Sequence, residues 1–142
     1  MAAASGWFYD ESFICSTSAS LVAGQFTIVG FSTGSTIQGR LPIITCVNTS
    51  GNVAQGVGVL QDTPAVNRAG SVRLLGITKL VATTSAAVTA GAQVTCNALG
   101  QGMVADTSGQ TVYGRALSGS TGLVAGSEFD LLLTGPVTLT LL

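Results

Sequence analysis

The chain has no histidine, so the side chain that most often moves protons near neutral pH is missing, and with it every zinc site built on imidazole. Charge is nearly as scarce. Only 8% of residues are Asp, Glu, Lys or Arg, against about 25% in an ordinary globular protein. A compact monomer of 14.1 kDa exposes roughly 6,700 Å², so five basic and six acidic side chains leave about one charge per 600 Å². The formal net charge of -1 provides little mutual repulsion. A small protein with such an exterior is expected to associate, with much of its surface covered by partners. The basic residues Arg40, Arg68, Arg73, Lys79 and Arg115 are scattered and form no stripe for nucleic acid.

Long apolar runs are also absent. The mean hydropathy is +0.58, yet Gly, Ser, Thr and Gln interrupt every run well short of the ~20 residues a spanning helix needs. No membrane partner is therefore expected. The opening MAAASGWFYDESF has neither a basic stretch nor an apolar core, so no signal peptide is expected. Three cysteines, Cys15, Cys46 and Cys96, lie far apart without CxxC spacing, and read as small buried thiols rather than metal ligands.

What the chain does contain is strand chemistry. Val, Ile and Thr dominate short runs bounded by Gly, Ser, Asn or Asp, the pattern of an all-β barrel or sandwich. Strands are expected over residues 25–31, 41–47, 55–61, 71–75, 77–82, 93–98, 112–117 and 128–133. A last segment, 137–141, alternates apolar residues with Thr138 and Thr140, and could close a sheet or add to a neighbour's edge. Ala-Gly precedes an expected strand at Ala23-Gly24, Ala69-Gly70, Ala90-Gly91 and Ala125-Gly126, where glycine supplies a positive φ at a turn. Residues 58–75 and 114–131 share one order: glycine, short strand, polar loop, Ala-Gly, strand. Residues 1–20 read as an N-terminal arm and 21–142 as the β-barrel or sandwich domain.

The arm holds half of the chain's eight aromatic residues, Trp7, Phe8, Tyr9 and Phe13. Termini fray unless tied down, and aromatic anchors are an effective tie to a partner. These four residues are the candidate partner-binding set. The competing reading folds the arm back on its own barrel.

No catalytic constellation emerges. Asp10 and Glu11 are adjacent and in a strand would point to opposite faces. Asp62 and Asp106 are isolated, while Glu128 and Asp130, two apart, could line one face. The glycine-serine loops at 32–39 and 118–122 have no P-loop lysine. A serine nucleophile would lack a base, since no S-x-x-K spacing occurs around Lys79. Asn48, Thr49 and Ser50 match a glycosylation sequon but read as a turn. No enzyme activity, cofactor or metal is expected.

From residue 55 to 133 the order of motifs is distinctive. A Gly-Val strand leads to an acidic turn at Asp62 and the Ala69-Gly70 lead-in. A strand through Gly76 and Ile77 follows, then Ala90-Gly91 and a glycine loop at Gly100 and Gly102. Gly114, Arg115, Ala116 and Leu117, a small-residue loop, Ala125-Gly126 and an apolar strand complete it. This resembles the capsid decoration (cement) proteins of tailed bacteriophages and their prophages. The resemblance implies a small β-barrel or sandwich that forms a homotrimer on the outside of an icosahedral head, in the virion. It would clamp major capsid protein subunits at three-fold and quasi-three-fold positions against the pressure of packaged DNA. Many relatives carry Lys, Asp and Glu where this chain has Ser, Thr, Gln and Gly, so no contact residue is carried over. The arm aromatics would anchor on capsid or on an adjacent protomer, and residues 25–31 or 137–141 could add a strand to a partner's edge. Two alternatives stand beside it: another virion part such as a head fibre base or tail protein, and a small-molecule-binding β-barrel.

Overall fold

The computed structural model describes residues 8–15, 24–31, 43–45, 56–121, 124 and 126–140. Trp7, Cys46, the loop 32–39 and the Asn48 turn lie outside the described residues. The described chain is all β, as its composition predicts. In order the strands are β1 (Tyr9–Ile14), β2 (Ile28–Phe31), β3 (Ile43–Thr45), β4 (Gly56–Leu60), β5 (Ala69–Val81), β6 (Gln93–Cys96), β7 (Gly102–Val104), β8 (Thr111–Ala116) and β9 (Glu128–Thr138).

One antiparallel sheet runs β3-β2-β4-β5-β9-β8-β6-β7, and β1 is added on β5. The two halves of β5 serve different neighbours. Val72 and Arg73 have partners on both sides, in β1 and in β4, whereas Gly76–Val81 pair with Leu133–Glu128 of β9. Beyond β9 the sheet curls back on itself. Ala82, just past β5, bridges Gly102 of β7, and the Thr83 amide donates to Gly102 O at 2.9 Å. Strands β5 to β9 thus form a nearly closed barrel.

Two apolar clusters follow from this curl. Inside the barrel, Leu80, Val94, Tyr113, Phe129, Leu131 and their neighbours are buried, joined by Ile28 and Val59 from β2 and β4. A smaller cluster of Cys15, Val29, Leu60 and Val72, with Phe13, Phe31 and Leu74 against it, lies where β1, β2 and β4 meet the first half of β5. Cys15 and Cys96 are both buried, as expected of small apolar thiols.

Several boundaries differ from the sequence reading. The runs 71–75 and 77–82 belong to one strand. Gly76 adopts φ 107°, which lets β5 change direction there without losing its partners. The strand expected from residue 25 begins only at Ile28, because Phe26 takes φ 59°. That strained turn is fixed by the Phe26 amide donating to Leu60 O and the Val81 amide donating to Phe26 O, each at 2.8 Å. Residues 137–140 are not a separate strand, and residue 141 lies outside the described residues. β9 continues to Thr138, where Val137 and Thr138 pair with Val112 and Thr111. That pairing with β8 closes the sheet along one edge of Val137 and Thr138. β2, in contrast, is flanked on both sides by β3 and β4 and offers no edge. Short β7 was not anticipated. Among the Ala-Gly lead-ins, Gly91 and Gly126 take the expected positive φ, while Ala69 and Gly70 already lie within β5.

Candidate functional site

The feature that stands out is the outer wall of the barrel. Along β5, Gly76, Thr78 and Leu80 point inward, so Leu75, Ile77 and Lys79 point to solvent. Along β9, Phe129, Leu131 and Leu133 point inward, so Glu128, Asp130 and Leu132 point out. The register places Ile77 opposite Leu132, Lys79 opposite Asp130, and Arg115 of β8 opposite Leu132. Leu117 follows directly after β8. Four large apolar side chains thus stand on one wall, Leu75, Ile77 and Leu117 at 47–48% exposure and Leu132 at 38%. Grouped on one wall, these side chains are a candidate contact surface rather than scattered surface leucines.

The charges on this wall are balanced. Lys79 reaches Glu128 at 3.3 Å. Asp130 and Arg115 make no ion pair among the described residues. The Asp130 backbone is fastened to the β8 side, its amide donating to Ser118 Oγ at 2.8 Å and its carbonyl accepting from the Leu117 amide at 2.7 Å. Arg115 donates through Nη1 to Gly91 O at 2.7 Å. Glu128 and Asp130 share one face, as their spacing predicts, but engage different neighbours.

β1 extends this wall. Arg73 donates from Nε and Nη2 to the two Asp10 carboxylate oxygens at 2.7 and 2.9 Å, and from Nη1 to Ile77 O at 2.7 Å. Its guanidinium carbon lies 4.6 Å from the centre of the Phe8 ring. The hydrogen bonds from Arg73 hold the Asp10 carboxyl below the usual aspartate range despite partial desolvation, and Asp10 in turn raises Arg73. The Tyr9 hydroxyl donates to Glu11 at 2.5 Å, and that bond together with the carboxylate's charge raises the phenol. Asp10 and Glu11 therefore serve separate partners and share no proton.

The four aromatics of the expected binding set fare differently. Phe8 and Tyr9 are each 51% exposed, beside the wall. Phe13 packs on the smaller cluster, its ring edge-on to Phe31 with centroids 5.4 Å apart. Trp7 lies outside the described residues. Sequence reasoning missed Leu75, Ile77, Leu117 and Leu132. The signal was present in the runs Leu74-Leu75-Gly76-Ile77 and Leu131-Leu132-Leu133, which are apolar at positions facing both ways.

Among the described residues no group of three or more Cys, Asp or Glu is placed to hold a metal ion, and no helix is long and apolar enough to cross a membrane. The arrangement offers an apolar surface for contact.

No family model and no curated protein sequence matches the chain. Its fold is similar to the crystal structure of the head fibre gp8.5 N base of bacteriophage phi29. The TM-score is 0.62 over 91% of this chain and 98% of that one, at 14% sequence identity. The likeness is one of fold.

Proposed function

We propose that this chain is a structural subunit of a tailed-phage virion, a homotrimer bound to the outer surface of the head that works by contact area alone. The observation that carries the proposal is the fold shared with a phage head fibre base over nearly the whole length of both chains. The sparse charge and the apolar outer wall agree with it. As a decoration protein, the trimer would sit at three-fold and quasi-three-fold positions and tie major capsid protein subunits together. Three linked contacts hold far more tightly than one, because each bound arm raises the effective concentration of the others. Phe8 and Tyr9, with Trp7 before them, are the proposed capsid anchors; Phe13 is taken up within the chain.

The fold likeness also favours a second reading, the base of a head fibre. Both place the protein on the head, and they differ in whether a further protein stands on it.

The test is co-sedimentation of the purified protein with heads that lack it. The expected result is saturable binding, weakened at least about tenfold by Phe8→Ala with Tyr9→Ala. Folded protein that stays in the supernatant would overturn the proposal. Heads that bind only while a second protein is attached to the trimer would select the fibre-base reading.

A further inference from the structure

We infer that the outer wall of β5, β9 and β8 is where copies of this chain meet, and that Arg115 of one copy pairs with Asp130 of the next. The inference rests on the homotrimer reading above and assigns its surface.

Three observations on this wall point to a second copy as the occupant. First, Leu75, Ile77, Leu117 and Leu132 are exposed together on it. Covering them removes apolar area from water at roughly 25 cal/mol per Å². Second, the wall is self-neutral, with Lys79 and Arg115 balanced by Glu128 and Asp130. A copy of the wall therefore meets no net repulsion from another copy. Third, once Lys79 has taken Glu128, one cation and one anion remain, Arg115 and Asp130. They stand on adjacent strands and make no ion pair among the described residues. Each is the complement that another copy's wall supplies.

The order of strands sets how this works around a three-fold axis. β9 lies between β5 and β8, so Leu132 comes nearest the axis. The β5 side of one copy then meets the β8 side of the next, as a cyclic head-to-tail contact requires. Leu75 and Ile77 face the neighbour's Leu117, and Asp130 on the central strand receives the neighbour's Arg115. Phe8 and Tyr9 lie on the β1 side of Leu75, Tyr9 as its cross-strand partner, and form the rim left for capsid.

Light scattering of the full-length protein after size-exclusion chromatography reads the outcome. Wild type is expected to be a trimer at about 10 μM. Leu132→Asp and, separately, Ile77→Asp are expected to give monomers with an unchanged circular dichroism spectrum, since neither side chain belongs to a core cluster. Arg115→Asp should weaken association at least about tenfold, and Arg115→Asp combined with Asp130→Arg should recover most of it. A wild-type monomer, or variants that stay trimeric, overturns the inference. A double variant no better than Arg115→Asp overturns the proposed ion pair. A wild-type monomer that binds heads through this wall assigns it to capsid instead, leaving the virion reading intact. A wall-mediated trimer that ignores heads retains the inference and removes that reading.

Discussion

The barrel and the leaf of strands beside it are built from one sheet and share β5, yet they are held by very different means. The barrel closes on itself and encloses Tyr113, Phe129, Leu80 and Leu131. The leaf of β1, β2, β3 and β4 gathers, among the described residues, only the smaller cluster of Cys15, Val29, Leu60 and Val72, and β1 is exposed over most of its length. It is fastened to the barrel by Ile28 and Val59, which reach into the barrel core, and by polar pins: Asp10 to Arg73, Val81 N–H to Phe26 O, and Ile28 N–H to Gly100 O at 2.8 Å. Stability resides in the barrel, while the leaf is a pinned attachment.

Truncation in each cluster is the strongest way to break this comparison. Phe129→Ala should cost about 3–5 kcal/mol in a denaturant titration, a large share of the roughly 5–15 kcal/mol that holds a domain. Leu60→Ala in the leaf should cost about 2–3 kcal/mol. Equal losses at both sites would erase the distinction.

Gly100→Ala attacks a pin. Gly100 has φ 73°, and an added methyl would stand 2.5 Å from Ile28 O. The expected cost is about 2 kcal/mol, with hydrogen exchange rising in β2 before β8 or β9. Uniform acceleration across all strands would mean that the leaf and barrel open as one.

The smallest effect is at Asp10. Its carboxyl titrates lower folded than unfolded, so the Arg73 pair stabilises the fold above the ordinary aspartate pKa of about 3.9 and loses its effect as pH falls through the depressed value. Asp10→Asn should cost about 1 kcal/mol near neutral pH, reduced by the pair's partial exposure, and flatten the acid side of the stability profile. An unchanged acid slope would place the titrating group elsewhere.

Much of the fold was legible because strand formation is local. β-branched runs between glycines located β3, β4, β6 and β8, the apolar run at 128–133 located the first part of β9, and the two-residue spacing placed Glu128 and Asp130 on one face. The remainder depended on partners distant in sequence. Nothing local says that β5 runs on through Gly76, or that Gly102–Val104 is a strand; the curl that brings β7 back to Ala82 decides both. The aromatic cluster near the N-terminus was visible, but Phe13's packing on Phe31 was not, since they meet only once β1 and β2 lie against β5. The outer wall was legible in principle. Its Leu and Ile residues were assigned to strands, and their direction follows only from knowing which neighbours fill the barrel.

The most direct measurement of the central claim is electron cryo-imaging of phage heads assembled with and without this protein. The account predicts three-fold density on the outer head surface, with the apolar walls turned toward the local axis, present only when the protein is. Intact, folded protein that leaves the two sets of heads identical would contradict it.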